Sequence, residues 1–260
     1  MNRLFADERK AQIATYVQTH KSATVSMLAQ MLATSESTIR RDLQELEEHG
    51  QLRRTHGGAI AVEVASFEPT WQEKHVRHAE EKARIARCAV KRIAPGQTVL
   101  LDGGTTTYQI AKQLSVDGVT VITNSVDIAS ELTAKAGVHL VVLGGEFRNT
   151  TGALVGPFTE QMLSGVHVDI AFLGANGVDP TGITTPNTLE AATKRAMVAC
   201  AQTVCVVADR SKFGQVSFVR ICEWKDVDVL YSDAPLDDPE LAGALQRNDV
   251  IYAYDAQDGE

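Results

Sequence analysis

Along residues 6 to 50 apolar positions recur at spacings of three and four, through ADERKAQIATYVQTH, VSMLAQML and SESTIRRDLQELEEHG, with no strand-like alternation between them. Three helices are therefore expected. From residue 98 the texture changes to short β-branched runs, TVLLD, VTVIT, VHLVVL, DIAFL, TVCVVA, DVDVLY and DVIYAY, separated by helical segments. That alternation predicts an α/β domain built on a mainly parallel sheet. Between the two textures, VEVASFEPTW has no clear period and holds the one proline before Pro95. Residues 61–75 are accordingly read as a linker joining a 1–60 unit to a 76–260 unit, with EEKARIARCAVKRI as an early helix of the second.

Within the first unit, a tight turn at Ala33 and Thr34 and a cap at Ser35 join the last two helices into a helix-turn-helix. Ile39, Leu43 and Leu46 share one face of the third helix, while Ser37, Thr38, Arg40 and Arg41 belong to its first two turns and Glu45, Glu47 and Glu48 follow. A recognition helix enters the major groove by its N-terminal end, so hydroxyls and guanidinium groups belong there; distal acids can face solvent or the rest of the protein. The next run, QLRRTHGGAIAV, predicts two short strands about Gly57-Gly58, a wing led by Arg53, Arg54 and His56. An isolated Arg-Arg pair would be read as a solvated helix face. Turn, placement and wing together make double-stranded operator DNA the expected partner, with Ser37, Thr38, Arg40, Arg41, Arg53, Arg54 and His56 as candidate contacts.

Charge supports this division. The whole chain carries −8 and a pI near 5.4, which argues against unspecific adhesion to nucleic acid, yet residues 1–57 carry +1 and the remainder −9. The sequence has no run of about 18 apolar residues, and MNRLFADERK has no signal-peptide core, so a cytoplasmic protein without a membrane segment is expected. Cys88, Cys200, Cys205 and Cys222 form no C-x-x-C pair and sit among apolar neighbours, which predicts buried, reduced thiols and no metal site.

In the second unit the polar residues fall just past the carboxyl ends of the expected strands, where open parallel sheets bind ligands. TVLLD ends on Asp102, able to accept a sugar hydroxyl, and after it come Gly103, Gly104, Thr105, Thr106 and Thr107, opening a helix whose N–H groups and hydroxyls suit a phosphate. After the next strands come Asn124 and Ser125; Gly144 and Gly145 with Arg148; Gly174, Asn176 and Gly177; and Asp209 with Ser211 and Lys212. Arg148 and Lys212 are natural counter-charges to an anion. Glu190 and Lys194, four apart on TLEAATKRAM, suit either the site or a simple i,i+4 pair. DGGTTT does not match G-x-G-x-x-G, so no dinucleotide cofactor is expected, nor any other.

The run STIRRDLQELEEHGQLRRTHGGA resembles the winged helix-turn-helix of the DeoR family of bacterial sugar-metabolism regulators, with TIRRDL on the recognition helix. The resemblance continues through EEKARIA, DGGTTT, ITNS, LGGEFR, LGANG and ADRSKFG, and LGANGVDPTGITTP and ADRSKFGQVSF look most like the fructose operon repressors. It implies a C-terminal domain like the sugar-phosphate isomerases of the ribose-5-phosphate isomerase type, binding a phosphorylated sugar as effector. Fructose 1-phosphate is the first candidate, through Thr184, Thr185 and Pro186. A homo-dimer or homo-tetramer is expected, because one recognition helix reads too few base pairs for useful specificity. The alternative is an isomerase-like enzyme fused to a DNA-binding domain. Such an enzyme needs a poised base, and where the isomerases carry a D-G-A-D-E turn this chain has GANGVD, leaving only Asp179, placed late. A sensor without catalysis is the expected reading.

Overall fold

The computed structural model describes residues 6–20, 22–49, 51–55, 57–60 and 68–255, apart from the side chains of Asp7, Arg53 and Ile60. The chain divides into two compact units, Met1–Phe67 and Glu68–Glu260. In the first, α1 (Ala6–His20) is followed by β1 (Ser22–Thr24), α2 (Val25–Met31), α3 (Glu36–Glu48), β2 (Arg53–Thr55) and β3 (Gly58–Ile60). Ile13, Val17, Leu28, Ile39, Leu43, Leu46 and Leu52 form its core, the α3 stripe being the one read from the sequence. Thr24 and Ser35 cap their helices by accepting the amides of Met27 and Thr38, and Ala33 makes the turn with φ +47.

The wing strands β2 and β3 pair antiparallel, and β1 adds to the other edge of β3. That third strand is absent from the sequence reading because three residues, Ser-Ala-Thr, are too short to show alternation. Its approach is close enough to fix one glycine: a Cβ on Gly58 would lie 2.0 Å from the Ala23 carbonyl oxygen.

The second unit runs α4 (Trp71–Val76), α5 (Ala79–Val90), β4 (Thr98–Leu101), α6 (Thr105–Gln113), β5 (Val119–Thr123), α7 (Val126–Leu132), β6 (Val138–Val142), β7 (Glu146–Arg148), β8 (Ala153–Val155), α8 (Pro157–Leu163), β9 (Val168–Gly174), β10 (Gly177–Asp179), β11 (Gly182–Thr185), α9 (Thr188–Cys200), β12 (Ala201–Val207), β13 (Val219–Cys222), β14 (Val229–Ser232), α10 (Pro239–Arg247) and β15 (Ile251–Tyr254). All seven runs read as strands pair in one parallel sheet, ordered β15-β14-β12-β9-β4-β5-β6. Leu100, Ala171, Leu173 and Val206 face one apolar layer, and Val99, Leu101, Phe172 and Cys205 the other. Burial on both faces is why these strands read as continuous apolar runs.

Strand β4 is the first of the sheet in sequence, yet later strands flank it on both sides, so the winding reverses between β4 and β9. A crevice opens at such a switch point beyond the carboxyl ends of the strands. Two small antiparallel additions, the β7-β8 hairpin and the β10-β11-β13 sheet, were not read from the sequence; segments such as GVD and VRIC are too short and mixed to carry a period. Of the segment read as linker, residues 61–67 lie outside the described residues, while Glu68 and α4 are held within the second unit. Cys200, Cys205 and Cys222 are buried and free, and burial pushes the thiols of Cys205 and Cys222 up to about 12, which leaves them unreactive. Among the described residues no helix is long and apolar enough to cross a membrane.

Candidate functional site

At the start of α3 the Ser35 hydroxyl lies 2.8 Å from both Ser37 Oγ and Thr38 Oγ1, a polar cluster built on the cap itself. Beyond it Arg41 projects with its side chain 84% exposed, and Arg40 reaches back 3.1 Å to Glu36 in an exposed pair. Exposed pairs of this kind hold weakly, so Arg40 can exchange Glu36 for a phosphate. The acids behind the arginines have structural work. Asp42 is buried and takes two bonds from Arg9, at 2.6 and 3.0 Å; Lys10 reaches Glu45 at 3.0 Å; Glu47 accepts the Arg54 amide at 2.8 Å. They bind α3 to α1 and to the wing, leaving the N-terminal turns of α3 as its polar, cationic end. Arg54 is exposed on the wing, Arg53 lies in β2, and His56 is outside the described residues. Arg41→Ala should weaken operator binding by about 1 to 3 kcal/mol and relax the preference at one base pair; in titrations at several salt concentrations, a uniform loss with a smaller slope would mark a phosphate contact instead.

At the switch point of the second unit, Asp102 is buried beyond β4, and its Oδ2 accepts the Gly174 amide at 3.0 Å and the Lys194 ammonium. Lys194 also donates to the Gly174 carbonyl at 3.1 Å. Glu190, one turn earlier on α9, accepts from Thr185 Oγ1 at 3.0 Å and from Arg148 at 3.3 Å. These two residues thus find partners elsewhere rather than in each other, α9 directing a carboxylate to Thr185 and Arg148 and an ammonium to Asp102 and the Gly174 carbonyl. Thr185 also donates to Asn176 at 3.2 Å. Arg148 bonds Glu68 at 2.5 Å, and Glu68 further accepts from Lys74 at 2.7 Å and Asn176 at 3.4 Å. Burial alone would raise the Glu68 carboxyl, but Lys74 and Arg148 outweigh it and hold the pKa below the usual range.

A third group surrounds Asp209, which is buried beyond β12 and accepts the Ser211 amide at 3.0 Å as well as its hydroxyl. Burial lowers the pKa of Lys212, with Asp209 opposing. Lys82, on α5, is 4% exposed and donates to the carbonyls of Lys74 and Arg77. Burial pulls its pKa down to about 8, Asp209 opposing and the charge of Lys212 adding to the shift.

Other sequence candidates have scaffold contacts. Thr107 Oγ1 donates to the carbonyls of Asp102 and Gly104 at 2.6 and 2.9 Å. Asn124 takes the Gly103 amide at 2.8 Å and donates to Leu154 at 2.9 Å; Ser125 caps α7. Gly144 is pinned to α8 through Thr159 and Met162, and a Cβ on Gly145, at φ +156, would meet Thr159 Oγ1 at 2.1 Å. Gly177 lies equally tight against the Gln215 carbonyl. Thr105 and Thr106 begin α6 beneath the rim, buried after an extended Gly104.

Glu68, Lys74 and Lys82 were missed by the sequence reading. For Lys82 a signal existed: it heads the buried stripe Ile85, Ala86 and Ala89, an unusual place for a lysine. Asp179, the one acid left in the isomerase-like turn, accepts from Thr181 and Gly182 and closes the β10-β11 turn.

Comparison with known proteins agrees with both halves. A DeoR-like helix-turn-helix domain model matches residues 9–64, and a DeoR C terminal sensor domain model matches residues 77–234. The chain is 40% identical to the HTH-type transcriptional regulator GlpR of Haloferax volcanii over 88% of this chain and 91% of the relative. It is 34% identical to the HTH-type transcriptional repressor GlcR of Bacillus subtilis over 98% of each, and 35% identical to the glycerol-3-phosphate regulon repressor of Escherichia coli over 80% and 83%. A ribose 5-phosphate isomerase A from Methanocaldococcus jannaschii overlays on 52% of the chain and 55% of its own, with 21% identity and a TM-score of 0.39. With a DNA-reading helix at one end and the matching sensor domain at the other, the chain belongs to the DeoR family of helix-turn-helix transcriptional regulators.

Proposed function

We propose that the protein represses a sugar-utilisation operon and is controlled by a phosphorylated sugar bound at the carboxyl rim of the second unit. The observation that carries this reading is the gathering of charged and hydroxyl groups beyond the strand ends, Asp102 with Lys194, and Glu190 with Arg148, Thr185 and Asn176, together with the buried Lys82 and the half-buried Lys212 around Asp209. Buried cations of depressed pKa suit a dianion, and carboxylates and amides nearby suit sugar hydroxyls. A relative named for a glycerol-3-phosphate regulon supports the ligand class. Within it fructose 1-phosphate is the first candidate, on the likeness of LGANGVDPTGITTP and ADRSKFGQVSF to fructose operon repressors. Two or more copies act together, so that paired recognition helices span repeated half-sites.

Calorimetry with sugar phosphates and their unphosphorylated parents tests this. Only the phosphorylated forms should bind. A bound dianion raises the pKa of Lys82 from about 8 toward its ordinary value, so binding near pH 9 should take up protons, and affinity should fall as pH rises through that range. Equal binding of the parent sugars, or no proton uptake, would remove the lysines from the phosphate position. The enzyme alternative is tested in the same samples by NMR: no turnover of fructose 6-phosphate, ribose 5-phosphate or glucosamine 6-phosphate is expected.

A further inference from the structure

Two cations of the proposed effector site, Arg148 and Lys82, are both engaged by one short segment of the chain. Arg148 is bonded to the Glu68 carboxylate, and Lys82 donates to the carbonyls of Lys74 and Arg77. Glu68, Lys74 and Arg77 belong to a strap formed by residues 68–77, and the Glu68 side chain is 3% exposed. The strap's own attachment is thin. Thr70 and Glu73 cap α4 reciprocally, the Trp71 amide donates to Thr150 at 2.7 Å, and the Trp71 ring stacks on His75 and meets Tyr108 edge-on. No residue of α4 is fully buried, and Trp71 Nε1, His75 Nδ1 and Thr151 Oγ1 are shut from solvent with no hydrogen-bond partner. Segments with little apolar burial and unsatisfied polar atoms open first. At its far end His78 has φ +54, a sharp turn into α5 with no side-chain cap.

We propose that Glu68 is a built-in stand-in for the effector's anionic group: in the empty sensor its carboxylate takes the seat beside Arg148 and Asn176, and a phosphorylated effector displaces it and frees the strap. This rests on the effector site described above. Arg148 already serves the Glu190 carboxylate, so a phosphate arriving there repels a second carboxylate, Glu68; the effector therefore binds the strap-free state better, and that difference in affinity is what a ligand needs to shift a conformational equilibrium. Lys74 leaves with Glu68, its own partner, so no cation is stranded. Departure also uncovers Lys82. The strap directly follows residues 61–67 in the chain; its release frees a further roughly 30 Å of chain, at full extension, on the path to the DNA-binding unit. Occupancy of the sensor is thereby converted into a change in how that unit is tethered.

The full-length protein and its Glu68→Gln variant test this by hydrogen exchange of residues 68–77 and calorimetry with fructose 1-phosphate, glycerol 3-phosphate and inorganic phosphate. In the natural chain, the phosphorylated ligand that binds should speed exchange in the strap. In Glu68→Gln, exchange should already be fast without ligand, and affinity should rise roughly tenfold because the internal competitor is gone. Weaker binding by Glu68→Gln would make Glu68 a ligand group and overturn the proposal. So would binding with the strap as protected as before, which would leave the effector site standing. If no phosphorylated compound binds either protein, the effector reading falls and this proposal with it.

Discussion

Asp42→Ala should unfold the DNA-binding unit while leaving the sensor domain intact. The Asp42 carboxylate is buried at the α1-α3 contact and takes two bonds from Arg9, whose side chain is itself 14% exposed. Removing the carboxylate deletes two charge-assisted hydrogen bonds that tie α1 to α3, each worth about 1.5 to 3 kcal/mol. A unit of this size has only about 3 to 9 kcal/mol in total, by the per-residue stability of small domains. Hydrogen exchange of α1, α2 and α3 should therefore become nearly unprotected at 37 °C, whereas the β4, β9 and β12 amides keep their protection. Both tryptophans, Trp71 and Trp224, lie in the second unit, so their fluorescence should not register the change. Operator binding would be lost without touching a contact residue. Unchanged protection in α3 would mean that Asp42 does not hold the helix.

Lys194→Met should have an effect of similar size in the other unit. It leaves the Asp102 carboxylate buried with the Gly174 amide but without its counter-ion, which costs about 3 to 5 kcal/mol. Adding Asp102→Asn to Lys194→Met should restore most of the stability, since both charges are then gone, yet should not restore sugar-phosphate binding. Thermal unfolding of the four proteins of this cycle gives the coupling directly. If the double variant were as unstable as Lys194→Met, the pair would not be the source of the loss.

These two pairs also show what sequence could and could not disclose. The helix-turn-helix was legible because Ile39, Leu43 and Leu46 mark one face and Ser35 marks a start; the parallel sheet was legible because strands buried on both faces read as apolar runs. The position of Asp102, Arg148 and Asp209 followed from the rule that ligands sit beyond strand ends. Partnership did not follow. Lys194 lies 92 residues from Asp102 in sequence, and nothing in either segment names the other, whereas its neighbour Glu190 was in plain view at the wrong distance for either's true partner. Glu68 was hidden for another reason. Pro69 and the lack of a period made its segment look like linker, and a strap held by ion pairs and two rings has no period to show. The three-residue strands β1, β7, β8 and β10 stayed invisible because alternation needs more residues than they have.

On the proposed function, a phosphorylated sugar in the second unit controls the grip of the first on DNA. Fluorescence anisotropy of the full-length protein on DNA from upstream of its own gene, at one fixed salt concentration, tests it most directly, because affinity for DNA varies steeply with salt. A coupling of about 1 to 3 kcal/mol is typical between sites, so one phosphorylated sugar should weaken binding by roughly 5- to 150-fold while its unphosphorylated parent does nothing. Firm binding to that DNA which no sugar phosphate alters would contradict the claim.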